Sequence, residues 1–266
     1  MATKHFQVAL DILQDATAVP ATSYDSWAEY YDLTDADRAP FVAFYRSLVG
    51  ARTESVLDLG CGTGTIAIAL AGDVTGRVVW VDASAGMLQV AEGKAESVEW
   101  VQGELRFPPV AGPFDLVVCC FNTLQHLLAD EDLRRAFAAI GGLLAPKGVF
   151  AFDIYQPNLN YLRTPQTDRL ARSVTDDRGR RLEIREHSRY DSDARVRCLD
   201  WRLVQAGKPE AARLASTRHL MRQYFPAEIE RLLGTAGLEI RERYGDFDRS
   251  AFDAESKKQV VVCGLK

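Results

Sequence analysis

Between Ser55 and Ile154 the apolar residues fall in short bursts separated by stretches of helical spacing. Val56-Leu57-Asp58-Leu59, Arg77 to Val81, Val98 to Val101, Phe114 to Cys120 and Gly148 to Ile154 have the length and the Val, Ile and Phe content of buried strands. Thr65 to Ala71, Ala85 to Ala95 and Glu131 to Leu144 repeat their apolar positions on one helical face. Strands alternating with helices predict a doubly wound α/β sheet, mostly parallel and covered on both faces.

The flanks read differently. Phe6, Ala9, Leu10 and Leu13 predict a short helix before Val19, and Pro40 opens another from Phe41 to Val49 by fixing φ in its first turn. After Tyr155 the helical spacing stops, and Asn158 to Asp168 reads as loop. Arg181 to Tyr190, Arg195 to Val204 and Leu214 to Tyr224 then alternate with a period of two, joined by Asp176-Asp177-Arg178-Gly179, Asp191-Ser192-Asp193 and Gly207-Lys208-Pro209. This predicts an antiparallel β meander inserted into the α/β domain. Pro226 starts a helix that ends at Gly237, and Leu238 to Tyr244 and Gln259 to Leu265 close the sheet. The expected division is a helical N-terminal lid (1–54), an α/β core (55–157), the inserted meander (158–225) and a completion of the core (226–266).

Composition narrows the function. At 266 residues and 47% hydrophobic content the chain can bury one substantial core. Its apolar runs fall well short of the ~20 residues that span a bilayer, and no signal-peptide pattern opens it, so no membrane partner and a cytoplasmic location are expected. Five cysteines, an odd number, lie in strand-like runs or beside glycine without zinc spacing, which predicts reduced thiols and no metal. A formal charge of −5 repels a phosphate backbone, so no nucleic acid partner is expected; the arginines from Arg163 to Arg197 read as a solvated face interleaved with Asp and Glu, with a local basic face as the competing reading.

The sharpest chemical signal is Asp58-Leu59-Gly60-Cys61-Gly62-Thr63-Gly64-Thr65, a glycine turn between the first strand and its helix. Glycines there permit a tight turn and the close approach of a ligand to main-chain atoms. Gly-x-Gly-x-Gly lacks the spacing that seats a pyrophosphate, and no Lys-Ser/Thr pair makes it a phosphate loop. Asp58 stands where it can steady a cationic amino group, and Asp82 ends the second strand, where a carboxylate can accept both hydroxyls of a ribose. A nicotinamide dinucleotide site and a plain tight turn are the competing readings of these residues alone.

Together, Asp58 to Gly64, Asp82 and Gly103-Glu104 resemble in order the motifs of class I S-adenosylmethionine-dependent methyltransferases, over about Ser55 to Ile154. The resemblance implies a Rossmann-like methyltransferase sheet and S-adenosyl-L-methionine held by Tyr24, Tyr31, Asp58, Gly60, Cys61, Gly62, Gly64, Asp82, Ala83, Met87, Gly103, Glu104, Leu105 and Phe121. Many family members have Asp where this chain has Glu104. Tyr24-Asp25-Ser26-Trp27-Ala28-Glu29-Tyr30-Tyr31-Asp32 is similar to the family's cofactor lid. Members that methylate nucleobase amines or glutamine carry a polar-Pro-Pro-aromatic run after the fourth strand; here Asn122-Thr123-Leu124-Gln125-His126 follows Phe121, which points elsewhere.

His126 is the histidine that this order places near the transferring methyl, as a general base or as a group that orients the acceptor; His5, His187 and His219 lack such a context. The meander and the C-terminal run resemble amino-sugar N,N-dimethyltransferases, in which such a sheet walls the acceptor pocket and can join subunits, so a homodimer is a further expectation. By that resemblance Tyr155, Arg222, Tyr224 and Asp246 face a small-molecule methyl acceptor, most readily an amine, and Trp27 of the lid and Asn122 after the fourth strand are acceptor-side candidates with them. Oxygen methylation, a nicotinamide-dependent oxidoreductase and a non-catalytic cofactor-binding protein are the alternatives.

Overall fold

A computed structural model describes residues 24–34, 38–95, 98–207 and 213–266; the helix expected before Val19, His5 and part of the Gly207-Lys208-Pro209 turn lie outside the described residues. A 3₁₀ helix, Ala28–Thr34, leads to α1 (Ala39–Arg46), with Pro40 in its first turn. The alternating region follows as β1 (Ser55–Leu59), α2 (Thr65–Ala71), β2 (Arg77–Asp82), α3 (Ala85–Glu92), β3 (Glu99–Gln102), β4 (Phe114–Cys119), α4 (Asp130–Leu143) and β5 (Leu144–Tyr155). After α5 (Leu159–Leu162) come β6 (Gln166–Thr175), β7 (Arg181–Asp191), β8 (Val196–Gln205) and β9 (Arg213–Arg222), then α6 (Pro226–Thr235), β10 (Leu238–Tyr244) and β11 (Lys258–Leu265).

The main sheet has seven strands in the order β10-β11-β5-β4-β1-β2-β3. β1 to β5 pair in parallel, and β11 runs antiparallel between β5 and β10. Period-two alternation sends neighbouring side chains to opposite faces. Leu57, Leu59, Val117, Cys119, Phe150 and Phe152 therefore meet Leu133, Phe137 and Ile140 of α4 and Ile229, Leu232 and Leu233 of α6. Val56, Trp80, Leu116, Val118 and Cys120 meet Phe44 and Tyr45 of α1 and Ile66, Ala67 and Leu70 of α2. Each cysteine is free and buried, in keeping with small apolar packing groups. No helix among the described residues is long and apolar enough to cross a membrane.

Four strands, not three, form the second sheet, in the order β6-β7-β8-β9. β6 begins at the end of the expected loop and runs on through residues given no element, because it is an edge strand, largely exposed on both faces, so its sequence shows no apolar alternation. Backbone pairing with β7 holds it, from Gln166 opposite Ser188 to Thr175 opposite Arg181. Several arginines of this region are engaged: Arg169 and Arg197 with buried Glu186, Arg180 with Asp176, and Arg185 with Glu183.

The two sheets are joined at the β9 end. Gln125 Nε2 donates to the Arg222 carbonyl (3.0 Å), and the Tyr224 hydroxyl donates to the Leu127 carbonyl (2.6 Å). These bonds set the last residues of β9 against the segment that follows β4.

Candidate active site

The carboxyl ends of β1, β2 and β4 open into a cavity of about 410 Å³. Its floor is the glycine turn, where Gly60, Gly62 and Gly64 have φ of +79°, +55° and +82°. A Cβ on Gly60 would lie 2.3 Å from the Thr123 side chain, and one on Gly64 would lie 2.8 Å from the Trp100 ring. At Gly62 the nearest atom would be 3.8 Å away, on Tyr31, so this glycine leaves open space above the turn. Gly60 N and Cys61 N donate to the Val81 carbonyl, at 2.7 and 3.1 Å, and tie the turn to β2.

Two carboxylates stand at this floor. Asp82 lines the cavity; its Oδ2 accepts from Gly62 N and its Oδ1 from Ser84 N, both at 2.8 Å. Burial raises its pKa, opposed by those amides. Asp58 lies behind the lining, fully buried, with Oδ1 lacking a partner. Burial pushes its carboxyl well above the usual range, and the charge of Asp82 pushes the same way. An orphaned buried carboxylate oxygen, left-handed glycines with open space above them and a carboxylate at the tip of the second strand together suit a ligand that brings a cationic amino group and a ribose.

The segment from Tyr24 to Asp32 closes over the same floor. Asp25 accepts from Ser84 Oγ and, at 3.0 Å, from Gly86 N at the start of α3. Asp32 accepts from Thr63 Oγ1 (2.6 Å) and pairs with Arg38 and Lys94, and although burial alone would raise its pKa, Lys94, Thr63 and Arg38 bring it below the usual range. Ala83, Met87, Gly103, Glu104 and Leu105 form the wall beyond Asp82. Gly103 is required there by Pro109, whose Cδ would lie 2.3 Å from an added Cβ. Arg106 holds the Glu104 carboxylate at the rim and also reaches Asp132 at 3.3 Å.

At the other end three aromatic side chains from three parts of the chain meet. The Tyr24 hydroxyl lies 2.9 Å from His126 Nε2, and the Tyr24 ring lies 4.6 Å from the His219 ring, centroid to centroid. The His126 ring also bonds to the Leu220 backbone. A ring that donates to a carbonyl through one nitrogen carries its lone pair on the other, so the Tyr24 hydroxyl donates to Nε2. Burial drives the His126 pKa down to about 4, partly opposed by Leu220. Burial and then His126 drive His219 down to about 3. Both imidazoles are uncharged at neutral pH.

Tyr31 and Phe121 complete the lining among the residues that the sequence singles out for the cofactor, whereas Cys61, Gly64 and Asp58 support the turn from behind. Of the residues assigned to the acceptor, none lines the cavity. Trp27 is fully buried and packs with Leu182, Ile184, Leu203 and Ala215, so it anchors the segment to the second sheet. Arg222 lies buried over the Tyr224 ring between Asp130 and Glu228, and it fixes the joint between the sheets. Asp246 is exposed and accepts from Phe247 N, Tyr155 is half-exposed against Lys258, and Asn122 belongs to the backbone turn after β4. His219, together with Arg218 and Leu220, takes the place on the wall that the sequence gives to those residues. Its signal was faint: a polar residue, two places after Thr217, on the inward register of an alternating strand.

The comparisons with known proteins agree with this geometry. A family model described as a methyltransferase domain matches residues 56–148. The cypemycin N-terminal methyltransferase of a Streptomyces species is 32% identical over 248 residues, covering 90% of this chain and 96% of that protein. The chain belongs to the S-adenosylmethionine-dependent methyltransferases. A second methyltransferase, the dTDP-3-amino-3,4,6-trideoxy-α-D-glucopyranose N,N-dimethyltransferase of Streptomyces venezuelae, is 27% identical over 220 residues, 80% of this chain and 90% of its own. The CcbJ methyltransferase from Streptomyces caelestis superposes with a TM-score of 0.77 at 26% identity, covering 92% of this chain and 98% of that one. A Geobacillus relative is matched over 58% of its length. Membership removes the oxidoreductase reading, and the cofactor of this methyltransferase is S-adenosyl-L-methionine.

Proposed function

We propose that this methyltransferase transfers a methyl group to an amine nitrogen of a small molecule or peptide end, by in-line attack. The observation that carries the reading is the uncharged Tyr24–His126 pair at 2.9 Å, at one end of a cavity whose floor suits the cofactor. The names of two relatives covered over nine tenths or more of their length, one an N-terminal methyltransferase and one acting on an amino sugar, support nitrogen.

Bound S-adenosylmethionine supplies a methyl on a sulfonium, an electrophile with a good leaving group. The protein then has to hold and align the reactants, which by itself can lower a barrier by several kcal/mol. Asp82 would accept the ribose hydroxyls, Asp58 would lie behind the amino end, and Met87 and Leu105 would flank the base. The Tyr24 hydroxyl donates a hydrogen bond to His126, so its oxygen lone pairs face outward as acceptors for an amine N–H. That bond points the nitrogen lone pair along the line of attack. With a pKa near 4 the buried His126 imidazole is a poor proton store, so it orients Tyr24, and the proton of the methylated amine leaves to water.

The test is to incubate the protein with methyl-labelled cofactor and a panel of amino sugars, short peptides with free N-termini, phenols, alcohols and transfer RNA, and to map the label by mass spectrometry. Label on amine nitrogen is expected. Label confined to oxygen or to RNA would overturn the reading.

A further inference from the structure

Asp153, on β5, is fully buried beside the end of β4. Its Oδ1 accepts from Phe121 N at 2.9 Å and from the Tyr45 hydroxyl at 2.7 Å, and its backbone carbonyl accepts from Asn122 N at 3.2 Å. Its Oδ2 lies 3.4 Å from Lys258 Nζ, which supplies the countercharge from within a ring of Phe41, Tyr155 and Phe247. The two amides it binds belong to consecutive non-glycine residues in the left-handed region, Phe121 at φ +56° and Asn122 at φ +63°. Such a pair is unfavourable for L-residues and persists only where surrounding bonds enforce it.

What this turn carries explains why it is enforced. Phe121 lines the cofactor cavity, stacked on Phe41 at 4.9 Å. Thr123 fills the space beside Gly60, and the 3₁₀ helix Thr123–His126 that follows delivers His126. A carboxylate present only to neutralise Lys258 would not need to bind one amide of the turn through its side chain and the next through its main chain. We propose that Asp153 is a positioning residue for methyl transfer, holding the left-handed Phe121–Asn122 turn that sets the wall of the cofactor cavity and the start of the His126 segment. The inference rests on the cofactor and not on the acceptor, so a protein that binds S-adenosylmethionine yet methylates no amine leaves it standing.

The experiment compares Asp153→Ala, Asp153→Asn, the double variant Asp153→Ala/Asn122→Gly and, as a control for general destabilisation, Val261→Ala on β11, by calorimetric titration with S-adenosylmethionine beside thermal melting. Asp153→Ala should weaken cofactor binding about 10-fold, and Asn, which keeps an acceptor oxygen, about 3-fold or less. Glycine at position 122 takes up the left-handed conformation without strain and should recover most of the lost affinity, a rescue that mere loss of a core group would not show. Val261→Ala should melt lower and bind the cofactor as the parent does. Parental affinity in folded Asp153→Ala, no recovery in the double variant, or an equal loss in Val261→Ala would overturn the proposal. If the alanine variant does not fold, Asp153→Glu, which displaces the carboxylate by one methylene, should also weaken binding about 10-fold, and parental affinity there would overturn it equally.

Discussion

His126 and His219 are two neutral imidazoles enclosed by the meeting of two sheets and the Tyr24 segment, and their titration ties fold stability to pH. In the folded protein they protonate near 4 and 3, whereas an unfolded chain protonates them near 6.5. Between those values the unfolded state binds more protons, so stability is intact above about pH 6.5 and is lost as pH falls toward 4, by on the order of 3 kcal/mol for His126. Urea midpoints measured across that window should fall with pH, and His219→Asn should flatten the dependence; an unchanged slope would mean the rings are hydrated. At the same scale, Tyr24→Phe removes the hydroxyl that orients the acceptor and should lower kcat roughly 100-fold with cofactor affinity little altered. A larger change in cofactor Kd than in kcat would give Tyr24 a binding role instead. His126 could be read from the sequence because it follows the fourth strand at a fixed place in the motif order. His219 could not, because nothing within β9 shows that the inserted sheet folds back over the glycine turn.

At the scale of elements, the strand–turn–helix unit from Ser55 to Ala71 was legible almost to the residue, since apolar runs, glycine spacing and helix period agree there. β6 was not legible, because an exposed edge strand is held by its neighbour's backbone and needs no pattern of its own. Trp27, Arg222 and Tyr224 lie off the cavity for a related reason: they look chemically useful as residue types, yet they are buried where one element locks onto another. The glycine turn yields a prediction of the same kind. Gly60→Ala combines a positive φ with a Cβ 2.3 Å from Thr123, whereas Gly62→Ala meets nothing closer than 3.8 Å. Both carry the strain of a side chain at positive φ, about 1–2 kcal/mol, and the clash at position 60 adds to it, so the first should be the less stable of the two and abolish measurable cofactor binding, while the second should melt between the first and the parent and lose affinity. Melting and titration of the two variants separate these outcomes, and equal melting temperatures would contradict the stated packing at Gly60.

For the molecule as a whole, the cavity is assembled from the N-terminal segment, the α/β core and the inserted sheet, through Tyr24, His126 and His219. Ligand binding should therefore stabilise all three together: at a cofactor concentration 100 times Kd the gain is about 2.7 kcal/mol. Hydrogen exchange should slow jointly in residues 24–34, in the segment 120–126 and in β9. Protection of the core alone would show that the inserted sheet takes no part in closure. That sheet has one more property. Four of its guanidinium groups, those of Arg169, Arg180, Arg185 and Arg197, already face carboxylates fixed on the same or the neighbouring strand or turn. A polyphosphate would have to displace those internal anions and would gain little from releasing its own counterions. Despite an arginine-rich stretch, the protein should pass through a phosphocellulose column at low salt almost unretarded.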